Sequence, residues 1–201
     1  MRRPTRVTRP AGAVTVTTYD PEGRVLQVDR ATGDPAKPWQ TTRATYTPTG
    51  KVATKTDAAG HVTRYTYDEA DRQRTVTDPE NRTRTTEYDL GGQVERVIDA
   101  MGQVERTYTY TAAGKVATLT DARNNVTAYA YDGYGRARRI TYADGSHEET
   151  GYDANGNPLT QRRRDGRVIA FAYDALNRKT VKTAPGVPAV SYAYDPAGRP
   201  R

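Results

Sequence analysis

Residues 46–67 read YTPTGKVATKTDAAGHVTRYTY, a segment that opens on Tyr46 and closes on Tyr67. Four places after Tyr46 stands Gly50, followed by Lys51, and fourteen places after it stands Gly60. Glycine at such points supplies the left-handed backbone that tight turns demand. The stretches between the turns, 51–56 and 61–67, have ordinary strand lengths. They are rich in Val, Thr and Tyr, which suit a pleated surface better than a helix. In the second stretch, residues 61, 63, 65 and 67 share one face, because side chains alternate along a strand, so Tyr65 and Tyr67 stand together. The segment therefore reads as strand, turn, strand, turn.

The same pattern fills the chain. Tyrosines followed by Asp or Thr fall at Tyr19, Tyr46, Tyr67, Tyr88, Tyr110, Tyr131, Tyr152, Tyr173 and Tyr194, at intervals of 27, 21, 21, 22, 21, 21, 21 and 21. The next residue is Asp20, Thr47, Asp68, Asp89, Thr111, Asp132, Asp153, Asp174 or Asp195, in each case an oxygen able to cap turn N–H groups. Four places after each tyrosine come Gly23, Gly50, Asp71, Gly92, Gly114, Gly135, Gly156, Asn177 and Gly198, the three residue types that most readily take positive φ. A basic residue usually follows, as at Arg24, Arg72 and Arg136, with Gln93 and Asn157 as exceptions. A second turn recurs at Gly33, Gly60, Asn81, Gly102, Asn124, Gly145 and Gly166, and at Gly186 one place early. A fixed period of this kind marks a repeat architecture. The division expected is a basic lead-in over 1–14 and an array of about nine 21-residue units over 15–201.

Thirteen of the 15 tyrosines occupy the register position or the place two before it, leaving Tyr134 and Tyr142 elsewhere. Aligned repeats would set these rings in ladders across one face. The 27-residue interval contains Gly33-Asp34-Pro35 and Pro38-Trp39, a surface loop of about 33–41 inserted at the second turn. Trp39 either docks on the sheet or marks a contact, and docking is the favoured reading. The 22-residue interval before Tyr110 implies one extra residue at a turn or bulge. Neither break requires a domain boundary.

Composition sets the alternatives. Val 17, Leu 5, Ile 3 and Phe 1 together make only 26 of 201 residues, which with a net charge of +7 would by itself suit a disordered chain. Tyr and Thr in strict register argue against that. The 31 Lys and Arg and 24 Asp and Glu are spread along the chain, and Arg162-Arg163-Arg164 is the one basic run, which weighs against a nucleic-acid face. Without cysteine there is neither a disulfide framework nor a thiolate metal site. No apolar stretch of membrane-spanning or signal-peptide length occurs.

Catalytic chemistry finds no foothold. His61 and His147 lie in different repeats without metal-ligand spacing, and both read as surface residues on strands. The abundant aspartates are accounted for by the turns they precede. Gly91-Gly92 and Gly133-Tyr134-Gly135 are turn glycines, since no strand–loop–helix context makes them phosphate loops. The chain is expected to be no enzyme and to need no cofactor or metal.

Tyr67-Asp68-Glu69-Ala70-Asp71-Arg72, Tyr131-Asp132-Gly133-Tyr134-Gly135-Arg136 and Tyr194-Asp195-Pro196-Ala197-Gly198-Arg199 resemble the YD repeats of the Rhs family, which also occur in insecticidal toxin-complex subunits, wall-associated proteins and teneurins. The resemblance runs from about Thr15 to Arg201. It implies an all-β fold, an antiparallel hairpin array forming a long curved sheet that is part of a spiral YD-repeat shell. It further implies a non-catalytic shell segment of an Rhs-type polymorphic toxin, secreted or at the bacterial cell surface within a longer protein. Its partners would be flanking YD repeats or a C-terminal toxin domain. The self-cleaving segment of toxin members has no counterpart here, so no cleavage residue carries over. The competing reading is a cell-surface adhesion module whose exposed tyrosines meet carbohydrate.

Two strands per unit give about 18 strands, and at ~4.8 Å each a ribbon on the order of 85 Å. So wide a sheet is expected to curl. Its open edges are expected to promote self-association.

Overall fold

Alternating Thr, Val and Tyr between left-handed turn residues leaves the chain no way to satisfy its backbone except by pairing neighbouring strands. The computed structural model describes the backbone of residues 4–8 and all of residues 14–201. Two compact units divide the chain, Met1–Glu105 and Arg106–Arg201. The first contains β1 (Pro4–Thr8), β2 (Val14–Tyr19), β3 (Val25–Ala31), β4 (Trp39–Tyr46), β5 (Val52–Thr56), β6 (Val62–Tyr67), β7 (Gln73–Thr77), β8 (Thr83–Tyr88) and β9 (Val94–Ile98). β10 (Val104–Tyr110) begins at its end. The second unit continues through β11 (Val116–Asp121), β12 (Val126–Tyr131), β13 (Ala137–Thr141), β14 (His147–Tyr152), β15 (Pro158–Arg162), β16 (Val168–Tyr173), β17 (Lys179–Ala184) and β18 (Val187–Ser191). Within each unit every strand pairs antiparallel with its sequence neighbours, and no helix occurs among the described residues.

β1 lies inside the stretch read from the sequence as a lead-in, and it pairs with β2 through Pro4↔Thr18 to Thr8↔Val14. The inserted loop covers 32–38 and is closed by the Thr32 N–H on the Pro38 carbonyl at 3.1 Å. Trp39, Gln40 and Thr41, assigned to that loop from the sequence, instead open β4. Their backbones pair with Ala31, Arg30 and Asp29, which satisfies groups that a loop would leave to water. Trp39 is 46% exposed. The extra residue of the 22-residue interval falls within β10, which has 7 residues where β6, β8 and β12 have 6.

A bulge recurs at eight of the nine register tyrosines, all but Tyr194. Thr45 faces Thr54 while Tyr46 faces Val52, so Ala53 is left unpaired. The same shift recurs at Thr66/Tyr67, Glu87/Tyr88, Ala130/Tyr131 and Ala172/Tyr173. Because directly opposed residues share a face, the register sorts the side chains. One face carries pairs such as Tyr65↔Val76, Thr86↔Val97, Tyr129↔Ile140 and Gln161↔Ile169. The other is short and polar. There Thr45 and Thr54 share a hydroxyl bond at 2.7 Å, and Thr66 and Thr75 one at 2.6 Å.

The aromatic ladder expected from the sequence differs in one respect. Tyrosine-bearing strands alternate with strands that carry none of the register tyrosines, so each ring faces an aliphatic or polar side chain across the ladder. Val97 and Ile169 are the buried hydrophobic residues among those described. Each unit is thus a single layer, held by its backbone ladder and by what happens at the turns.

Candidate functional site

The recurring constellation is the first turn of each unit. At the first one, the Asp20 N–H donates to the Arg24 carbonyl at 2.9 Å and the Gly23 N–H to the Asp20 carbonyl at 3.1 Å. The Asp20 carboxylate accepts the Arg24 backbone N–H at 2.8 Å on Oδ1 and the Arg24 Nε–H at 2.6 Å on Oδ2. One carboxylate therefore caps the turn and orients a guanidinium. The arrangement repeats at Asp68 with Arg72, Asp132 with Arg136, Asp174 with Arg178 and Asp195 with Arg199. Where Thr47 and Thr111 replace Asp, their hydroxyls accept the Lys51 and Lys115 N–H groups at 3.1 and 3.2 Å. Asp89 accepts from Gln93, and Asp153 from Asn157. All nine residues four places after a register tyrosine have positive φ, from 59° at Asn177 to 92° at Gly156.

The electrostatics follow the geometry. Asp68, Asp174 and Asp195 are held below the ordinary carboxylate value, first by the backbone N–H of Arg72, Arg178 and Arg199. At Asp20 and Asp132 burial pushes the carboxyl up, but the N–H and guanidinium of Arg24 and Arg136 outweigh it and the net shift is downward.

The oriented basic side chain then reaches the following unit. Arg24 lies 4.8 Å over the Tyr46 ring, Arg72 4.5 Å over Tyr88, Arg136 4.3 Å over Tyr152, Arg178 4.7 Å over Tyr194, and Lys115 5.5 Å over Tyr131. These are cation–π distances. Each ring is anchored at its far end. The Tyr46 hydroxyl donates to the Val25 carbonyl at 2.7 Å, Tyr67 to Val52 at 2.9 Å, Tyr88 to Gln73 at 2.9 Å and Tyr173 to Pro158 at 3.0 Å. Tyr131, Tyr152 and Tyr194 do the same to Val116, Ala137 and Lys179.

The glycine completes the lock. A Cβ on Gly50 would lie 3.3 Å from Arg24 Nη1, on Gly92 3.1 Å from Arg72 Nη1, and on Gly156 3.1 Å from Arg136 Nη1. Glycine is thus required twice, for its φ and for the guanidinium lying against it. Lys115 takes the same place against Gly135, its Cε 2.6 Å from a Cβ built there, while two other units solve the contact differently. Asn157 precedes Asn177 and donates to its Oδ1 at 2.7 Å, while Thr49 donates to Asp71 at 2.8 Å. The sequence carried a signal for this coupling that the repeat unit alone hides: Arg24, Arg72 and Arg136 are each followed one unit later by Gly, whereas Gly198, one unit after Arg178, is open to space.

The two histidines belong to different compact units. His61 Nδ1 sits 3.1 Å from Asp57 Oδ2 at a turn, and His147 opens β14 opposite Thr141. Burial, then Arg139 and Arg162, hold His147 below its usual value. Among the described residues no cluster of three or more His, Asp and Glu is placed to hold a metal ion, and no helix is long and apolar enough to cross a membrane. Tyr134, outside the tyrosine register, is 84% exposed and flanks Arg136 at 5.1 Å.

The teneurin YD-shell family profile matches residues 10–199. No curated protein matches the chain. Among solved structures, a chain in the crystal structure of TcdB2–TccC3–Cdc42 superposes with a TM-score of 0.66 at 17% identity, over 96% of this chain and 14% of that one. A chain of the Photorhabdus luminescens Tc holotoxin pore aligns at a TM-score of 0.40 and 15% identity, over 94% of this chain and 15% of that one. The first likeness establishes a shared fold, and the chain spans about a seventh of the protein it resembles.

Proposed function

The chain belongs to the teneurin YD-shell family, and on that premise we propose that it forms a stretch of the wall of an Rhs-type polymorphic-toxin shell that encloses or presents a C-terminal toxin. The observation that carries this reading is the turn ladder. At five of the eight junctions between units an Arg or Lys is delivered to the next unit's Tyr, so units add in one direction without a core that limits their number. A wall one sheet thick needs that property, because its strands have no second layer to pack on. No catalytic role is assigned to the chain, and the aspartates of its first turns are committed to capping them. Residence outside the producing cell follows from the same reading.

Limited proteolysis of the natural gene product tests it. The polypeptide C-terminal to the array should resist cleavage while the shell is folded and be digested once the shell is opened with denaturant. Equal cleavage in both states refutes enclosure.

A second reading, cell-surface adhesion through carbohydrate, is favoured by one feature. The exposed Tyr134 ring borders a crevice with Asp132, Arg138 and Tyr152. Tyr134→Ala should then abolish binding on a glycan array, and a chain that binds no glycan removes this reading.

A further inference from the structure

The place two before the register tyrosine holds a ring at Tyr65, Tyr108, Tyr129, Phe171 and Tyr192, threonine at Thr17, Thr86 and Thr150, and the smallest side chain of the nine at Ala44. Ala44 faces Lys55 directly, Lys55 faces Thr63, and Val28 faces Thr42. These residues, with Tyr65 two beyond Thr63, therefore share one face of β3 to β6. At Ala44 the face holds a pocket of about 380 Å³ between Val28 and Tyr65, walled also by Val25, Leu26 and Pro79. That volume lies in the range of small-ligand sites.

Two cations line the pocket, Arg43, whose Nε donates to Gln27 Oε1 at 3.1 Å, and Lys55. Asp57 is occupied, with Oδ1 accepting the Ala59 and His61 N–H groups at 2.8 and 2.9 Å and Oδ2 lying 3.1 Å from His61 Nδ1. Lys55 Nζ stands 5.8 Å from the Tyr65 ring centre and has no carboxylate partner among the described residues. The site thus offers an apolar slot beside an aromatic wall, with a single ammonium at its mouth.

We propose that this pocket binds an aromatic carboxylate, its ring seated over Ala44 against Tyr65 and its carboxylate on Lys55 Nζ. Such chemistry belongs equally to a small aromatic acid and to an acidic–aromatic peptide segment.

Hippurate and acetyl-Phe-Glu-amide serve as the two probes, titrated into ¹⁵N-labelled protein and read from amide shifts. Saturable shifts confined to Val28, Ala44, Lys55 and Tyr65 are expected. Tighter binding of hippurate assigns a small acid as the ligand, and tighter binding of the peptide assigns a polypeptide. Lys55→Gln should raise the hippurate Kd at least fivefold, and benzyl alcohol, which lacks the carboxylate, should bind at least fivefold more weakly. Ala44→Tyr installs the ring found elsewhere in the array and should abolish binding with spectral dispersion intact. Ala44→Leu provides a second filling variant if the tyrosine disturbs folding. Absence of saturable shifts with both probes, or unchanged binding in a folded filled variant, overturns the proposal.

Discussion

Gly92 and Gly102 provide a controlled comparison of the two demands made on a turn glycine. Their φ values are 83° and 78°, so alanine at either pays a similar left-handed penalty of ~1–2 kcal/mol. They differ in surroundings. A Cβ at Gly102 meets nothing within 4 Å, whereas one at Gly92 lies 3.1 Å from Arg72 Nη1. Arg72 cannot retreat freely, because Asp68 holds its Nε at 2.7 Å and the Tyr88 ring lies 4.5 Å beneath it. Displacing the guanidinium forfeits a cation–π contact of about 0.5–1 kcal/mol at an exposed site. Gly92→Ala should therefore cost about 0.5–1 kcal/mol more than Gly102→Ala. With a urea m-value of ~2 kcal/mol/M, that difference lowers the unfolding midpoint by a further ~0.25–0.5 M. In an Arg72→Met background, which keeps the stem and removes the fork, the two substitutions should cost the same. Equal costs with Arg72 present, or an excess at Gly92 that survives its removal, would refute a glycine selected by the neighbouring arginine.

Other consequences are open to test. Tyr67→Phe removes the hydroxyl bonded to the Val52 carbonyl and should destabilise the chain by about 0.5–1.5 kcal/mol; an unchanged urea midpoint would show that anchor to be idle. Gly151→Ala would place a Cβ 2.6 Å from Thr160 Oγ1 directly across the ladder, at a cost of ~1–3 kcal/mol. Thr160→Ala should rescue it in thermal unfolding, and failure of rescue would place the strain elsewhere.

Stability should also fall on acidification. The folded carboxyls of Asp68, Asp174 and Asp195 lie below 3.8, so the folded state binds fewer protons, and their contribution, present above 3.8, is lost as pH drops through the folded values. Asp144, held by Ser146 and Arg164, extends that loss to about 2. His147 is likewise depressed below 6.5, so it begins to lower the melting temperature at milder acidity, a step that His147→Gln should remove. A melting temperature that rises on acidification contradicts these assignments.

Most of the architecture is legible in the residues because each turn advertises itself. An Asp or Thr cap, a left-handed residue three places later and a tyrosine at a fixed distance leave little choice of strand boundaries. The recurrent bulge is not legible. The unpaired residues are Leu26, Ala53, Arg74, Glu95, Ala117, Arg138, Leu159 and Thr180, which share neither size nor polarity, since the bulge is imposed by the turn and not by the side chain it displaces. Trp39 to Thr41 were hidden by the two prolines before them, which end a loop one residue before the strand resumes. The tyrosine positions were plain from spacing, but the residue lying over each ring was not. That contact joins positions about 16 to 22 residues apart in different units, beyond what a single repeat displays.

Residue-resolved amide hydrogen exchange tests the central claim most directly. Protection should recur every 21 residues, with the Asp68, Asp71, Asp89 and Gly92 amides slow because each donates to a carbonyl across its turn. Protection without that period, or rapid exchange at these turn amides while the neighbouring strands stay slow, would contradict units locked one to the next through their turns.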